Sequence, residues 1–154
     1  MPKRSHLQLD DYFPYLINRA GAALVERFSR HALAPRGLSI AAWRVLAALA
    51  NDGGLRLTDL SNKTSIELST LSRLVSRLIR DGYVSRSRAV SSNREITVSL
   101  SPKGRALVAQ LTPAAEDIQR AAIDGLTKAE LNTVKRALTR VYENLAGQRS
   151  TTGD

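Results

Sequence analysis

The chain has 154 residues, 43% of them apolar, which is enough to bury a core within one compact domain carrying helical extensions. Lys and Arg number 23 against 14 Asp and Glu, and a formal net charge of +9 favours a polyanionic partner, either nucleic acid or an anionic membrane surface. Cysteine is absent, which excludes disulfides and thiolate chemistry, and no apolar run approaches the roughly 20 residues of a membrane span. The basic N-terminus runs into Asp10-Asp11 rather than into an apolar signal core, so the expectation is a cytoplasmic protein without membrane association.

Tyr12, Leu16, Ala20, Ala23, Leu24 and Phe28 recur at helical spacing and predict a first helix ending before Pro35-Arg36-Gly37. Ser39 can cap a second helix carrying Trp43, Leu46 and Leu49, which Asn51-Asp52-Gly53-Gly54 stops. Leu55-Arg56-Leu57 is short enough for an edge strand, and Thr58 begins a short helix through Leu60. Thr64-x-x-Glu67 has capping-box spacing, with Ser65 and Glu67 as alternative caps, before a helix whose apolar stripe is Leu71, Leu74, Val75 and Leu78. Asp81-Gly82 ends it. Alternation over 83–88 and 96–100, with a turn at Ser91-Ser92-Asn93, predicts a two-stranded hairpin with a projecting tip.

Ser101-Pro102 is a strong helix start, and Leu107, Leu111, Ala115, Ile118 and Ala122 continue the period, with Pro113 expected to kink or break it. Thr127-x-x-Glu130 is a second capping box. It opens a last helix in which Leu131, Val134, Leu138, Val141 and Leu145 form a narrow seam, suited either to a partner helix or to packing within the chain. The fold class is therefore mainly α with a small β wing, a winged helix-turn-helix flanked by long amphipathic helices at both ends. The expected boundaries are 1–34 for the N-terminal helix, 35–101 for the winged helix-turn-helix, 102–148 for the C-terminal helices and 149–154 for a disordered tail.

Charge concentrates on the middle portion. Residues 63–94 hold seven basic side chains and two acidic ones, +5 of the total +9. The helix over 67–81 sets its apolar stripe against short polar and basic residues, the division a major-groove reading helix needs. Ser69, Thr70, Ser72 and Arg73 near its start are candidates for base edges. Lys63 and Arg77 suit phosphates, and Ser76 lies on the same polar surface. Arg86, Arg88 and Arg94 on the following hairpin suit the narrow minor groove. A solvated surface helix and a charge-protected edge hairpin are the bland alternatives, and the two features in succession are more specific than either alone.

These segments resemble the MarR family of winged-helix regulators, most specifically in Leu57-Thr58-Asp59-Leu60-Ser61, in the run 69–86, in Arg94 and in Leu100-Ser101-Pro102-Lys103-Gly104. The resemblance implies a homodimer with intertwined first and last helices, to which Leu9, Phe13 and Leu16 would contribute, a palindromic operator, and repression relieved by a small ligand. One departure is Ser92, where the family usually places Asp two residues before the wing arginine. The resemblance also implies a ligand cleft between the dimer helices and the reading lobe, for which Tyr12, Tyr15, Asn18, Arg19, His31, Arg36 and Trp43 are the candidates. Trp43 fits a core role equally well, and His31 a helix-end role. The run 10–19 is similar to the branch that responds to hydroxycinnamates or their coenzyme A thioesters, so a small aromatic acid or such a thioester is the expected effector.

Catalysis is not expected. There is no phosphate-cradling glycine loop and no nucleophile elbow, and His6 and His31 lack metal-ligand spacing, so neither metal nor cofactor is anticipated. The main rival within nucleic-acid binding is a non-specific architectural protein without effector response; sparse aromatics argue against single-stranded RNA.

Overall fold

A computed structural model describes residues 6–88 and 95–146. After a 3-10 turn at Leu9–Asp11, helix α1 covers Phe13–Phe28. The chain does not leave the helical path before Pro35, as the breaker pattern had suggested. It widens into a π turn at Ser29–Leu33, tightens into a 3-10 turn at Ala34–Arg36, and ends where Gly37 takes φ +65°. Pro35 sits at the start of that last turn, where a missing N–H costs nothing. Phe28, Ala32 and Leu33 are buried along this stretch.

Helix α2, Ile40–Asp52, is capped as expected, the Ala42 N–H donating to Ser39 Oγ at 3.1 Å. Strand β1 is only Leu55–Arg56, because Leu57 already begins α3. That helix runs Leu57–Thr64, longer than the single turn expected from Thr58 to Leu60. Thr64 is not a cap: it is buried, and its hydroxyl donates back to the Leu60 carbonyl at 2.6 Å. Ser65, at φ +56°, turns the chain instead, and the Ser61 hydroxyl holds that turn by donating to the Ile66 carbonyl at 2.6 Å. Helix α4, Leu68–Arg80, follows.

Strands β2, Val84–Arg88, and β3, Ile96–Leu100, form the predicted hairpin, and β1 adds to the free edge of β3, giving an antiparallel sheet of order β1-β3-β2. The hairpin tip, with the Ser92 substitution and the predicted turn at Ser91-Ser92-Asn93, lies outside the described residues. Helix α5 spans Pro102–Ile123, with the Gly104 N–H bonded to Ser101 Oγ at 3.0 Å. Pro113 does not break it. The carbonyl four residues earlier belongs to Ala109, which is exposed and can be satisfied by water.

Leu46, Leu49 and Val45 of α2, Leu60 of α3, Leu71, Val75 and Leu78 of α4, Val84 and Val98 of the sheet, and Leu107 and Leu111 of α5 form one continuous core. The chain divides after Ile118, and the second unit contains α6, Lys128–Ala146. Its start is the reciprocal box read from the sequence. The Thr127 N–H donates to Glu130 Oε2 at 2.8 Å, and the Glu130 N–H donates to Thr127 Oγ1 at 3.2 Å. No residue of α6 is buried. No single helix among the described residues is long and apolar enough to cross a membrane.

Candidate nucleic-acid interface

Helix α4 turns Leu71, Val75 and Leu78 into the core, which forces Ser69, Thr70, Arg73, Ser76 and Arg77 outward, with Ser72 half-buried at the boundary. Glu67 is the N-cap. Its carboxylate accepts from the Ser69 N–H at 3.0 Å and the Thr70 N–H at 3.1 Å, and also from the Ser69 hydroxyl and, at 3.3 Å, from the Thr70 hydroxyl. These donors, the Ser69 hydroxyl foremost, hold the carboxyl down at about 2 from its ordinary 4.5. Two of the four orphan donors of the helix start are thereby satisfied inside the chain.

Further along α4 the groups become cationic. Arg73 Nε lies 3.5 Å from the Ser69 carbonyl, one turn back, leaving the rest of the guanidinium outward. The Arg77 guanidinium is exposed, and no hydrogen bond or ion pair of it is seen among the described residues. Ser76 donates to the Ser72 carbonyl at 2.9 Å, and its oxygen receives Arg86 Nη2 at 3.5 Å, the outer limit of a hydrogen bond.

That last contact follows from strand register. Val84 pairs with Leu100, Arg86 with Val98 and Arg88 with Ile96, so the two arginines share the sheet face that carries the buried Val84, Val98 and Leu100. The opposite face is a ladder of hydroxyls, Ser87 with Thr97 at 3.2 Å and Ser85 with Ser99 at 3.5 Å. The wing arginines are therefore on the side of the sheet that meets α4. Arg94 lies outside the described residues. Lys63 closes on Asp52 at the end of α2 in a partly exposed ion pair, which lowers the Asp52 carboxyl and weakens the lysine's net charge toward a third partner.

Two features escaped the sequence reading. Arg56 bridges Asp59 of α3, through Nε at 2.8 Å, and Glu95 before β3, through Nη1 at 2.8 Å, tying the wing's return strand to the helix-turn-helix. The junction after α4 is locked more closely. Ser101 donates through its hydroxyl to the Gly82 carbonyl at 2.5 Å and through its N–H to the Tyr83 carbonyl at 3.0 Å. Lys103 donates to the Asp81 carbonyl at 2.8 Å with its ammonium 4.6 Å from the Tyr83 ring centre. Gly104 lies so close that a Cβ there would fall 2.0 Å from the Tyr83 carbonyl oxygen. These residues were part of the family resemblance; their spacing alone carried no signal, because the contacts cross about 20 positions.

Of the seven residues expected around a ligand, His31 and Trp43 border different hollows. His31 lines a cleft of about 250 Å³ with Arg27, Ala32, Ala114, Asp117 and Ile118. Trp43 borders a separate hollow with Arg44, Ala47, Ala48, Lys63, Thr64 and Ser65. It packs edge-on against Phe28, ring centres 5.3 Å apart, as a core neighbour would. The Arg36 guanidinium donates to the Ala32 carbonyl at 2.9 Å, finishing the helical path. Tyr12, Tyr15, Asn18 and Arg19 stand on or just before the first half of α1 and line neither cavity, with the Arg19 guanidinium 6.0 Å from the Tyr15 ring centre.

A helix-turn-helix with a free polar and cationic reading helix, followed by a hairpin whose arginines lie on the same side, is a winged helix-turn-helix of the DNA-binding class. A model of the MarR family matches residues 38–96. The HTH-type transcriptional repressor Rv2887 of Mycobacterium tuberculosis is 33% identical over 132 residues, 85% of this chain and 91% of that one. A MarR-family transcriptional regulator from Silicibacter pomeroyi superimposes with a TM-score of 0.78 and 32% identity, covering 88% and 91% of the two chains. BpsR of Bordetella bronchiseptica, whose DNA binding is regulated by 6-hydroxynicotinic acid, gives 0.73 and 30%, covering 83% and 96%. The chain belongs to the MarR family. It is a transcriptional regulator, not an enzyme.

Proposed function

We propose that two copies of this chain form a homodimer that binds a palindromic operator, represses transcription, and is released by a small aromatic acid. The observation that carries the reading is the shared side of Arg86 and the polar face of α4, joined through Ser76. With α4 in the major groove, Ser69, Thr70, Ser72 and Arg73 meet base edges, while Ser76, Arg77 and Lys63 lie near phosphates. The wing presents Arg86, Arg88 and Arg94 to the flanking minor groove. One winged helix offers few base contacts, and a dimer doubles them at a spacing of about one DNA turn. Residues 35–101 would serve as the reading domain. Residues 1–34 and 102–148 would supply the dimer contacts, through Leu9, Phe13, Leu16 and the α6 seam, all of which expose apolar surface.

For the effector, the similarity to BpsR supports an aromatic carboxylate, and Arg27 and His31 at the cleft suit such an anion. The hydroxycinnamates and their coenzyme A thioesters are the particular acids that the run 10–19 favours. The ligand acts by preferring a dimer whose reading helices are wrongly spaced, and its effect is bounded by that difference in affinity.

A competition shift assay with the duplex upstream of the chain's own gene tests the DNA reading. We expect at least about a thousandfold preference over random duplex, and a loss of about three orders of magnitude in affinity between 50 and 200 mM salt. Arg77→Ala should weaken all sequences alike and lower the salt slope by about two in a dimer, one for each copy. Equal binding to random duplex would instead assign an architectural DNA binder. Addition of aromatic acids to the same assay tests the effector.

A further inference from the structure

The leading end of α4 contains an asymmetry of hydrogen-bonding character that the contact candidates alone do not display. A carboxylate has no proton to give, so in both hydroxyl contacts with Glu67 the hydroxyls are the donors. Serine and threonine have one hydroxyl proton each. With those protons turned to Glu67, what Ser69 and Thr70 can offer outward is lone pairs. The carboxylate is likewise acceptor-only, and the two backbone N–H groups are already turned inward to it. One and two turns later, Arg73 and Arg77 are donor-only. The exposed surface of the helix is thus divided into an accepting start and a donating middle.

We propose that Glu67 is a specificity-determining positioning residue: by drawing in the hydroxyl protons of Ser69 and Thr70, it restricts the start of α4 to accepting hydrogen bonds, so that end selects operator positions whose contacted base carries an exocyclic amino group, adenine N6 or cytosine N4. Guanine O6 and N7 and thymine O4, which only accept, are matched instead by the arginines further along. The proposal rests on α4 entering the major groove, as argued above. Glu67 remains ionised at neutral pH, because the four donors keep its carboxyl low. The same carboxylate discourages a phosphate at the helix start, a position otherwise suited to one, and so favours bases there.

Randomised half-site selection with the wild type and with Glu67→Gln tests this, with thermal melting as a check on folding. Glutamine keeps the length and can still accept from the helix N–H groups. With its oxygen toward the Ser69 N–H, its NH2 takes the place of the oxygen that accepts both hydroxyls and donates to them instead, at the cost of the Thr70 N–H bond, which frees the hydroxyl protons to turn outward. We expect the wild type to prefer amino-bearing bases about tenfold at the positions facing the helix start, and the variant to lose that preference while the positions facing Arg73 and Arg77 keep theirs. A uniform fall in affinity across all sequences, the outcome of a purely structural cap, or an unchanged profile would overturn the proposal and leave the DNA reading intact. Absence of binding to any duplex by the wild type would instead overturn the DNA reading itself. A second arm needs no variant. Replacing the selected adenine by purine, which lacks N6, should weaken wild-type binding about tenfold, as should replacing a selected cytosine by pyrimidin-2-one, which lacks N4. No loss at either would refute the assignment.

Discussion

In α4, Leu71, Val75 and Leu78 are at most 1% exposed, whereas in α6 Val134, Leu138 and Leu145 are 42%, 43% and 68% exposed. Both helices carry apolar residues at spacings of three and four, and each has a glutamate at its start that accepts from backbone N–H, Glu67 as the cap of α4 and Glu130 within the first turn of α6. Local sequence makes each a helix with an apolar side. What differs is the supply of neighbours. Helix α4 is packed on α3 and the sheet, while the α6 stripe remains exposed. On our reading, this uncovered seam is the surface through which two copies associate.

Substitution in the two stripes should therefore break the protein in different ways. Leu71→Ala removes a fully buried side chain and should cost about 2–5 kcal/mol of unfolding free energy at every protein concentration, as read by denaturant titration. Leu138→Asp should leave the reading lobe folded and halve the mass seen by analytical ultracentrifugation. Should Leu138→Asp remain dimeric, α6 would not be the association surface, and its seam would need another explanation.

A smaller contrast sharpens the same point with two glycines inside helices. An added methyl at Gly104 meets the Tyr83 carbonyl, backbone that cannot swing aside, and Gly104→Ala should destabilise by about 1–3 kcal/mol and disturb the wing through the Ser101 and Lys103 contacts. Gly21 in α1 has nothing within 4 Å of such a methyl, so Gly21→Ala should instead stabilise by about 0.5–1 kcal/mol. If Gly21→Ala dissociates the dimer, a second copy lies against that position, and the gain is cancelled. Thermal melting at two protein concentrations separates these outcomes.

The helices, hairpin and caps were legible because each rests on local chemistry: Ser39, Ser101 and the Thr127–Glu130 box act within four residues of where they stand. The third short strand was legible as an extended segment but not as a partner of β3. The breakers misled at both prolines. Pro35 sits at the first turn of a tightened helix and Pro113 opposite an exposed carbonyl, and exposure is a tertiary property. The exposed polar and cationic side chains of α4 were nameable from its sequence pattern. Their mutual arrangement was not, because Arg86 reaches Ser76 through strand register, and because Thr64 and Glu67 compete for one cap that only the αL turn at Ser65 decides. The ligand residues were the least legible, since a cleft joins side chains distant in the chain and, on our reading, two copies of it.

The two glutamate caps provide the finest comparison between α4 and α6. Both carboxyls sit below their ordinary value of 4.5, Glu67 at about 2, through bonds from nearby N–H and hydroxyl groups. A carboxyl lowered in the folded state contributes stability that is fully present above the unfolded value and is lost as pH falls through the folded one. Glu67→Gln should therefore leave a smaller drop in stability between pH 4.5 and about 2, with little change in slope above pH 5. Glu130→Gln should act in the same direction, with the loss it removes setting in below pH 4.5. Both carboxylates are exposed, so the effects are modest and need denaturant midpoints at closely spaced pH values. If α6 melts separately from the reading lobe, the two variants will move different transitions. A single transition flattened by both would mean that the caps act within one cooperative unit. Unchanged pH slopes in Glu67→Gln would show that its bonds to Ser69 and Thr70 do not persist in solution, and the accepting character of the helix start would lose its basis.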